Sequence, residues 1–453
     1  MKQATFLFII VVIFYSSFSG CSKPRYDTGI LAGTLIDGNG GEPKKNQLIL
    51  INNGKIELIK AGEEKNKYQF GNFIDAQDKF VMPGLYDMHG HITMNYRTIN
   101  MVNGNPEMNV IYDQPSAEWT LKCLLYYGVT SVRETADFLD EGLALQAAVK
   151  KGELPGPEIF TCGPLLEFSN PMFKTMSVVV RTPEEARAEV QRESKAGIQF
   201  IKVYVNMPPD ILKVIIDEAH KNKVRVLGHL GATNWTQAIE AGIDGLVHPG
   251  PYCDRAFTKP HSDSAINILK LMADKKVAND PTLIVTKNIL DSKYGDSIVK
   301  SWPFTVPAET KKGWDQQNKV FSNMFPPGYN FDSELSLNLE YVNMAYRTGV
   351  PLLIGTDFNN PNIIPGYSLH QELQLFSDAG IPKNKIIRIA THDAAEWLGV
   401  LAQSGTLEKG KNADILILNK NPLENISNTL SIDNVIQHGK VIDRGKFLNK
   451  LQR

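Results

Sequence analysis

The sequence lacks a charge imbalance, with 48 lysines and arginines against 49 aspartates and glutamates in 453 residues. No whole-molecule field therefore points to nucleic acid or to an anionic membrane surface. Cysteine is scarce, four in all. With Cys21 set aside, Cys123, Cys162 and Cys253 are odd in number and widely spaced, so neither a disulfide framework nor a zinc-thiolate pattern follows. A repeat at solenoid period and any low-complexity block are also missing. The N-terminal apolar run from Ala4 to Tyr15 is short of the roughly 20 residues that a membrane span needs.

That run follows Lys2 and leads through small residues to Cys21, the layout of a secretory signal peptide over residues 1–20. The segment Phe18-Ser19-Gly20-Cys21 resembles a bacterial lipobox, although Phe18 stands where leucine is usual. The resemblance implies export and a lipid anchor on Cys21 at the periplasmic or cell-surface side, followed by a tether over 21–28. A cleaved soluble-secretion signal or a membrane anchor is the alternative.

Both ends of the remaining chain are β-rich. Gly29–Thr34, Leu48–Ile51 and Lys55–Lys60 are brief runs separated by turn signals such as Asp37-Gly38 and Asn52-Asn53-Gly54, which suggests a small antiparallel sheet. Asp414–Leu418 and Asn434–Asp443 repeat the pattern near the C-terminus. The middle differs. A run ending at Met88, then Ser131–Arg133, Glu158–Thr161, Phe200–Tyr204, Val224–Leu227, Gly245–Val247, Val277–Asn279 and Leu352–Ile354 read as eight buried strands. Helical stretches such as Pro183–Ala196, Pro209–Lys221 and Trp235–Ala241 alternate with them. The expected fold is α/β, a (β/α)8 TIM barrel over 83–402 with a small β-sandwich domain from 29–82 and 403–453. One long stretch, about Thr286 to Ser333, breaks the alternation and carries Trp302, Trp314, Phe321, Phe325 and Tyr329. A loop of that length is expected to act as a lid or pocket wall.

Catalytic groups of such a barrel sit where its strands end. The first run ends in Asp87-Met88-His89-Gly90-His91, whose two imidazoles are two residues apart on a strand and so can face one ion. Later runs end at His229, His248 and Asp357. Four imidazoles and one carboxylate are thereby brought to one barrel mouth, a pattern that calls for a divalent metal.

Val81-Met82-Pro83-Gly84-Leu85-Tyr86-Asp87-Met88-His89-Gly90-His91 resembles the opening motif of the amidohydrolase superfamily, in its prolidase-like and imidazolonepropionase-related branch. Gly128 to Arg133, Gly355-Thr356-Asp357 and Gly405 to Asp414 match later landmarks in order, so the resemblance runs from about Ile30 to Asp443. It implies that His89, His91 and Asp357 bind one metal and that His229 and His248 bind another. Lys202, in the place of a lysine that is carboxylated in two-metal members, would bridge the two as a carbamate or else pair with a carboxylate. Zinc suits the set, with manganese, iron or cobalt as alternatives. Asp357 would then act as catalytic base.

The same resemblance implies a small-molecule substrate with a C–N bond, of dipeptide or N-acyl amino acid type. Deaminases of the superfamily place a glutamate shortly after the fifth-strand histidine, whereas His229 is followed by Leu230-Gly231-Ala232-Thr233-Asn234. Tyr204, on the same strand face as Lys202, is a candidate for binding a substrate carboxylate or oxyanion, with packing as the alternative. His261, after the sixth strand, is a second candidate contact. The competing functions are a one-metal cyclic-amide hydrolase or deaminase, and a lipid-anchored binding protein without catalysis.

Overall fold

The computed structural model describes residues 23–102, 105–290, 302, 305–324 and 329–451. The expected signal segment, Cys21 and Phe325 lie outside the described residues. Among those residues no helix is long and apolar enough to cross a membrane.

The chain opens with β1 (Arg25–Leu35), β2 (Lys44–Asn52), β3 (Lys55–Ala61) and β4 (Gln69–Pro83). Asn53 and Gly54 both take left-handed backbone, φ 49° and 75°, which is the geometry of a two-residue turn whose twist matches its flanking strands. Asn52 therefore lies opposite Lys55 and the β2–β3 hairpin closes antiparallel. β4 returns beside β1 in parallel register, so this sheet is mixed and not the purely antiparallel one that the turns suggest. The reason is the turn of 3-10 helix at Gly62–Lys67, which carries the chain across to the far side of β1.

The middle of the chain supplies β5 (Leu85–Gly90), the antiparallel hairpin of β6 (Tyr96–Val102) and β7 (Asn105–Ile111), then β8 (Val129–Glu134) and β9 (Glu158–Phe160). It continues with β10 (Leu165–Glu167), β11 (Ser177–Val179), β12 (Phe200–Val203), β13 (Arg225–Gly228), β14 (Gly245–Val247) and β15 (Ala278–Asp280). Strands β5, β8 and β9 pair in parallel, as do β10, β12, β13, β14 and β15 in that order. Gln199 N–H donates to Thr161 O at 2.9 Å, joining the end of β9 to the start of β12. On the other side Leu353 N–H donates to Asn279 O at 2.8 Å and Met88 N–H to Ile354 O at 2.9 Å, so the segment through Leu352–Ile354 lies between β15 and β5. Seven of the eight expected runs thus fall in two parallel sheets, and the eighth, Leu352–Ile354, is hydrogen-bonded to β15 and β5 in one mixed α/β architecture.

Helices connect them where caps and apolar faces dictate. Thr182 and Glu185 form a reciprocal capping box at the start of Pro183–Ala196, and Asn234 and Gln237 form another at Trp235–Ala241. The chain ends with β16 (Ile415–Leu418), β17 (Ile432–Gln437) and β18 (Lys440–Val441). β16 pairs antiparallel with β4, which completes a seven-stranded sheet from both chain ends. All four residues of β16 are buried because it has two covered faces: Ile415 and Ile417 join the core of this sheet, Leu416 and Leu418 the main core. β4 runs on through Gly84 into β5, so the sheet is anchored where the first candidate ligands begin.

The long aromatic stretch departs from expectation. It contains a helix, Ala308–Met324. That helix is held by tertiary burial: Thr310, Trp314 and Gln317 are buried, and Trp302 and Trp314 belong to a cluster with Trp119, Cys123, Tyr127 and Ile364.

Candidate metal centre

Backbone hydrogen bonds tie the strand ends together and thereby set where each polar side chain begins. Asp357 N–H donates to His89 O (2.8 Å), His248 N–H to Asp280 O (2.8 Å) and His229 N–H to Val203 O (3.1 Å). Gly355 allows the first of these approaches, since a Cβ there would sit 2.5 Å from the Cβ of His89. Asp87 braces the same junction, accepting from Thr356 N (3.0 Å), Thr356 Oγ1 (2.7 Å) and His89 N (3.2 Å). His248 and Asp357 take left-handed backbone, φ 66° and 60°. Such conformations cost a non-glycine residue about 1–3 kcal/mol and persist where the surroundings over-determine them, which is common at functional sites.

The side chains converge. His91 Nε2 lies 2.7 Å and His89 Nε2 3.7 Å from the same oxygen, Asp357 Oδ1. These three can each offer one ligand atom within 4.8 Å of the others. The His248 ring centroid is 5.2 Å from that of His89 and 4.4 Å from that of His229, so the second pair adjoins the first cluster. Lys202 is buried in β12, close enough to Asp280, Arg133 and Asp357 for their charges to act on it. Tyr204 packs on His229 at 4.9 Å.

Electrostatics favours the ligand forms. Burial, aided by the charge of Lys202, holds His229 down to about 3; burial also pushes His89, His91 and His248 below their ordinary value. All four imidazoles are therefore neutral near pH 7 and have a lone pair to offer. Burial alone would raise the Asp357 carboxyl, but His89, the hydrogen bond from His91 and Arg97 outweigh it and hold it down to about 2. Burial and the Arg133 charge bring Lys202 down to about 8. Partners outside the cluster orient the rings: His89 Nδ1 meets Asp280 Oδ1 at 2.9 Å and His248 Nδ1 meets Thr282 Oγ1 at 2.8 Å, leaving each Nε2 for the centre. His91 Nδ1 is buried without a hydrogen-bond partner among the described residues. An orphaned imidazole nitrogen beside neutral imidazoles and an ionised carboxylate is a donor set that fits a divalent cation.

The structure brings together His89, His91, His229, His248, Asp357 and Lys202, with Tyr204 at their edge. His261 is placed elsewhere. It is exposed and its Nε2 meets Glu340 Oε1 at 2.5 Å. The next residue, Ser262, caps the helix Asp263–Lys275.

Three residues were not foreseen from sequence. Asp87 and Asp280 each sit in or at the end of a run that reads as buried strand, and an acid in such a place is itself a signal. Asp280 pairs with the buried guanidinium of Arg133 as well as with His89. Arg97, in β6, is 3% exposed and aims at the same region. Removing one partner of a fully buried ion pair leaves the other uncompensated, so Asp280→Ala is expected to lose about 3–5 kcal/mol of stability by urea unfolding. Asp280→Asn, which keeps an acceptor for Arg133, is expected to lose less. Equal unfolding midpoints for wild type and Asp280→Ala would contradict this account.

Comparison with known proteins agrees with the geometry. The model of the amidohydrolase family matches residues 80–442. Ochratoxinase from Aspergillus niger is 25% identical over 445 residues, covering 88% of this chain and 82% of that protein. Among solved structures, a Xaa-Pro dipeptidase with methionine bound in its active site superposes with a TM-score of 0.70 at 22% identity, covering 92% of this chain and 99% of the other. The crystal structure of the A. niger ochratoxinase gives a TM-score of 0.66 at 22% identity, with 91% and 95% covered.

Proposed function

The chain belongs to the amidohydrolase family and is a hydrolase acting on carbon–nitrogen bonds; within that activity, we propose that it cleaves a peptide-like amide, as a dipeptidase or N-acyl amino acid hydrolase. The observation that carries the reading is the meeting of four neutral imidazoles and one ionised carboxylate from separate strand ends, with a buried lysine among them. His89, His91 and Asp357 would hold one divalent cation, His229 and His248 a second, and Lys202 as its carbamate would lie between them. Zinc suits imidazole and carboxylate donors best, ahead of manganese, iron or cobalt. Bound there, the cations would acidify water to hydroxide near neutral pH and polarise the scissile carbonyl.

The residues of the chain do the rest. Asp357, ionised at any working pH, accepts a proton from the attacking water and delivers it to the departing nitrogen. Asp280 fixes the tautomer of His89, and Thr282 the ring of His248. The parallel strands and their return to β5 support a (β/α)8 barrel over 83–402, and the seven-stranded sheet supports a β domain from 29–82 and 403–453. The named activities of the ochratoxinase and the dipeptidase favour an amide substrate. Export and anchoring through lipidated Cys21 belong to the same proposal and rest on the N-terminal sequence.

Elemental analysis together with a substrate panel tests the reading. Two metals per chain are expected, with release of free amine from N-acyl amino acids or dipeptides that stops on chelation and returns with zinc. Hydrolysis confined to lactones or purines would remove the amide assignment. One metal and an unmodified Lys202 would leave a mononuclear enzyme instead.

A further inference from the structure

A guanidinium withdrawn from water needs partners for its five N–H donors. Arg97 is 3% exposed, yet its Nη1 donates only to two neutral amides, Gln317 Oε1 at 3.1 Å and Asn360 Oδ1 at 2.5 Å. Its Nε and Nη2 are buried and have no hydrogen-bond partner among the described residues. Neither nearby anion is available to them. Asp357 is engaged with His91 and the metal centre. Glu134 spends its two oxygens on Ile92 N (2.7 Å) and Thr93 N (3.4 Å), and burial together with Asp137 pushes its carboxyl up toward the neutral form.

The idle nitrogens are a matched pair. Nε–H and one Nη2–H point the same way and form the fork that grips a carboxylate with two parallel hydrogen bonds. The protein uses this same fork elsewhere: Arg192 donates through Nε to Glu189 Oε2 at 2.9 Å and through Nη2 to Glu189 Oε1 at 2.5 Å. At Arg97 the fork is built and held, but no carboxylate among the described residues fills it.

The surroundings place the fork beside the chemistry. The Arg97 guanidinium carbon lies 5.9 Å from the Phe173 ring, Phe173 is 5.7 Å from Tyr204, and Tyr204 is 4.9 Å from His229. The charges of Arg97 and Asp357 act on each other. A wall of one arginine and two rings therefore leads from the fork to the metal centre. The helix Ala308–Met324 supports it through Gln317, which gives the aromatic-rich segment a role as a pocket wall.

Resting on the amidohydrolase reading above, we propose that Arg97 determines specificity by gripping a free α-carboxylate on the amine side of the scissile bond through Nε and Nη2. The substrate is then an N-acyl α-amino acid or a dipeptide with a free C-terminus. In the reaction, R–CO–NH–CHR′–COO⁻ and one water give the carboxylate R–COO⁻ and the free α-amino acid as its zwitterion, the C–N bond breaking as the new C–O bond forms and the protons of water passing to the departing nitrogen. Arg97 takes no part in the bond changes; it sets which amide is presented to them.

The test is calorimetric binding of unreactive probes to the metal-loaded, full-length protein: leucine, methionine, phenylalanine and proline against the corresponding amino alcohols, which lack only the carboxylate. At least one amino acid is expected to bind about 10-fold or more tightly than its alcohol. That preference is expected to fall to within about 3-fold in Arg97→Met, with Arg97→Lys between the two. Equal binding of acid and alcohol by the wild type, no binding of either, or an unchanged preference in Arg97→Met would overturn the inference. Should Arg97→Met not fold, an undiminished preference in Arg97→Lys would do so. Turnover separates this from the parent reading. An active enzyme that cleaves N-acyl amino acids and their carboxamides equally well removes the role of Arg97 alone. A carboxylate preference in a protein that hydrolyses no amide removes the parent reading alone.

Discussion

Asp357→Asn is expected to lower kcat about 10²- to 10⁴-fold, the range for loss of a positioned proton carrier at a reacting centre, while the protein stays folded. The substitution isolates chemistry from architecture because of where Asp357 sits. Its backbone is left-handed, φ 60°, a conformation that asparagine tolerates better than almost any other residue with a side chain. The amide keeps the shape of the carboxylate and an oxygen that can accept the 2.7 Å bond from His91 Nε2. What it loses is the negative charge and the ability to take a proton. Burial opposes that charge, and His89, His91 and Arg97 sustain it. The checks are kcat on the best amide of the panel, metal content, and the urea midpoint. A variant that retains its metal and at least a tenth of its activity would remove Asp357 as base.

The residues that sequence makes legible and those it hides differ in how far their partners lie along the chain. His89 and His91 declare themselves within three residues, because a strand alternates faces and an ion needs convergent donors. His229, His248 and Asp357 follow from one further step, that each ends a buried run. Asp280 needs more, since its meaning comes from His89, 191 positions away, and from Arg133, 147 positions away. Arg97 is harder still: its amide partners Gln317 and Asn360 are 220 and 263 positions distant, and one of them lies on the helix Ala308–Met324. That helix lies in the long stretch that breaks the strand–helix alternation, and its packing against β6 and the tryptophan cluster is a tertiary effect that the alternation does not record. His261, singled out by its position after a strand, is exposed and pairs with Glu340 on the helix Phe331–Thr348.

Lys202 is where geometry and chemistry ask most of a single residue, and its removal has the second largest expected effect. Its amine is brought down to about 8 by burial and by Arg133, so at pH 7 about a tenth of it is unprotonated, against less than about a thousandth for a free lysine. Only the neutral amine can add carbon dioxide, forming a carbamate and releasing a proton. The proposed modification would replace a buried ammonium, which repels cations, by an anion that attracts them. With four neutral imidazoles and one carboxylate nearby, that extra negative charge is what a second divalent ion would lack without it. Lys202→Ala is therefore expected to retain at most one metal per chain and to lose about 10²- to 10³-fold in kcat. Short carboxylates such as propionate should restore part of both, since the truncated side chain leaves room for an acid near the place of the carbamate. Carbon-13 bicarbonate should give a carbamate resonance in the wild type and none in the variant. An unmodified lysine paired with Asp280 predicts something else: metal content unchanged, no carboxylate rescue, and a loss of stability as Asp280 keeps Arg133 alone. Metal analysis and the carbamate resonance decide between the two before any substrate is known.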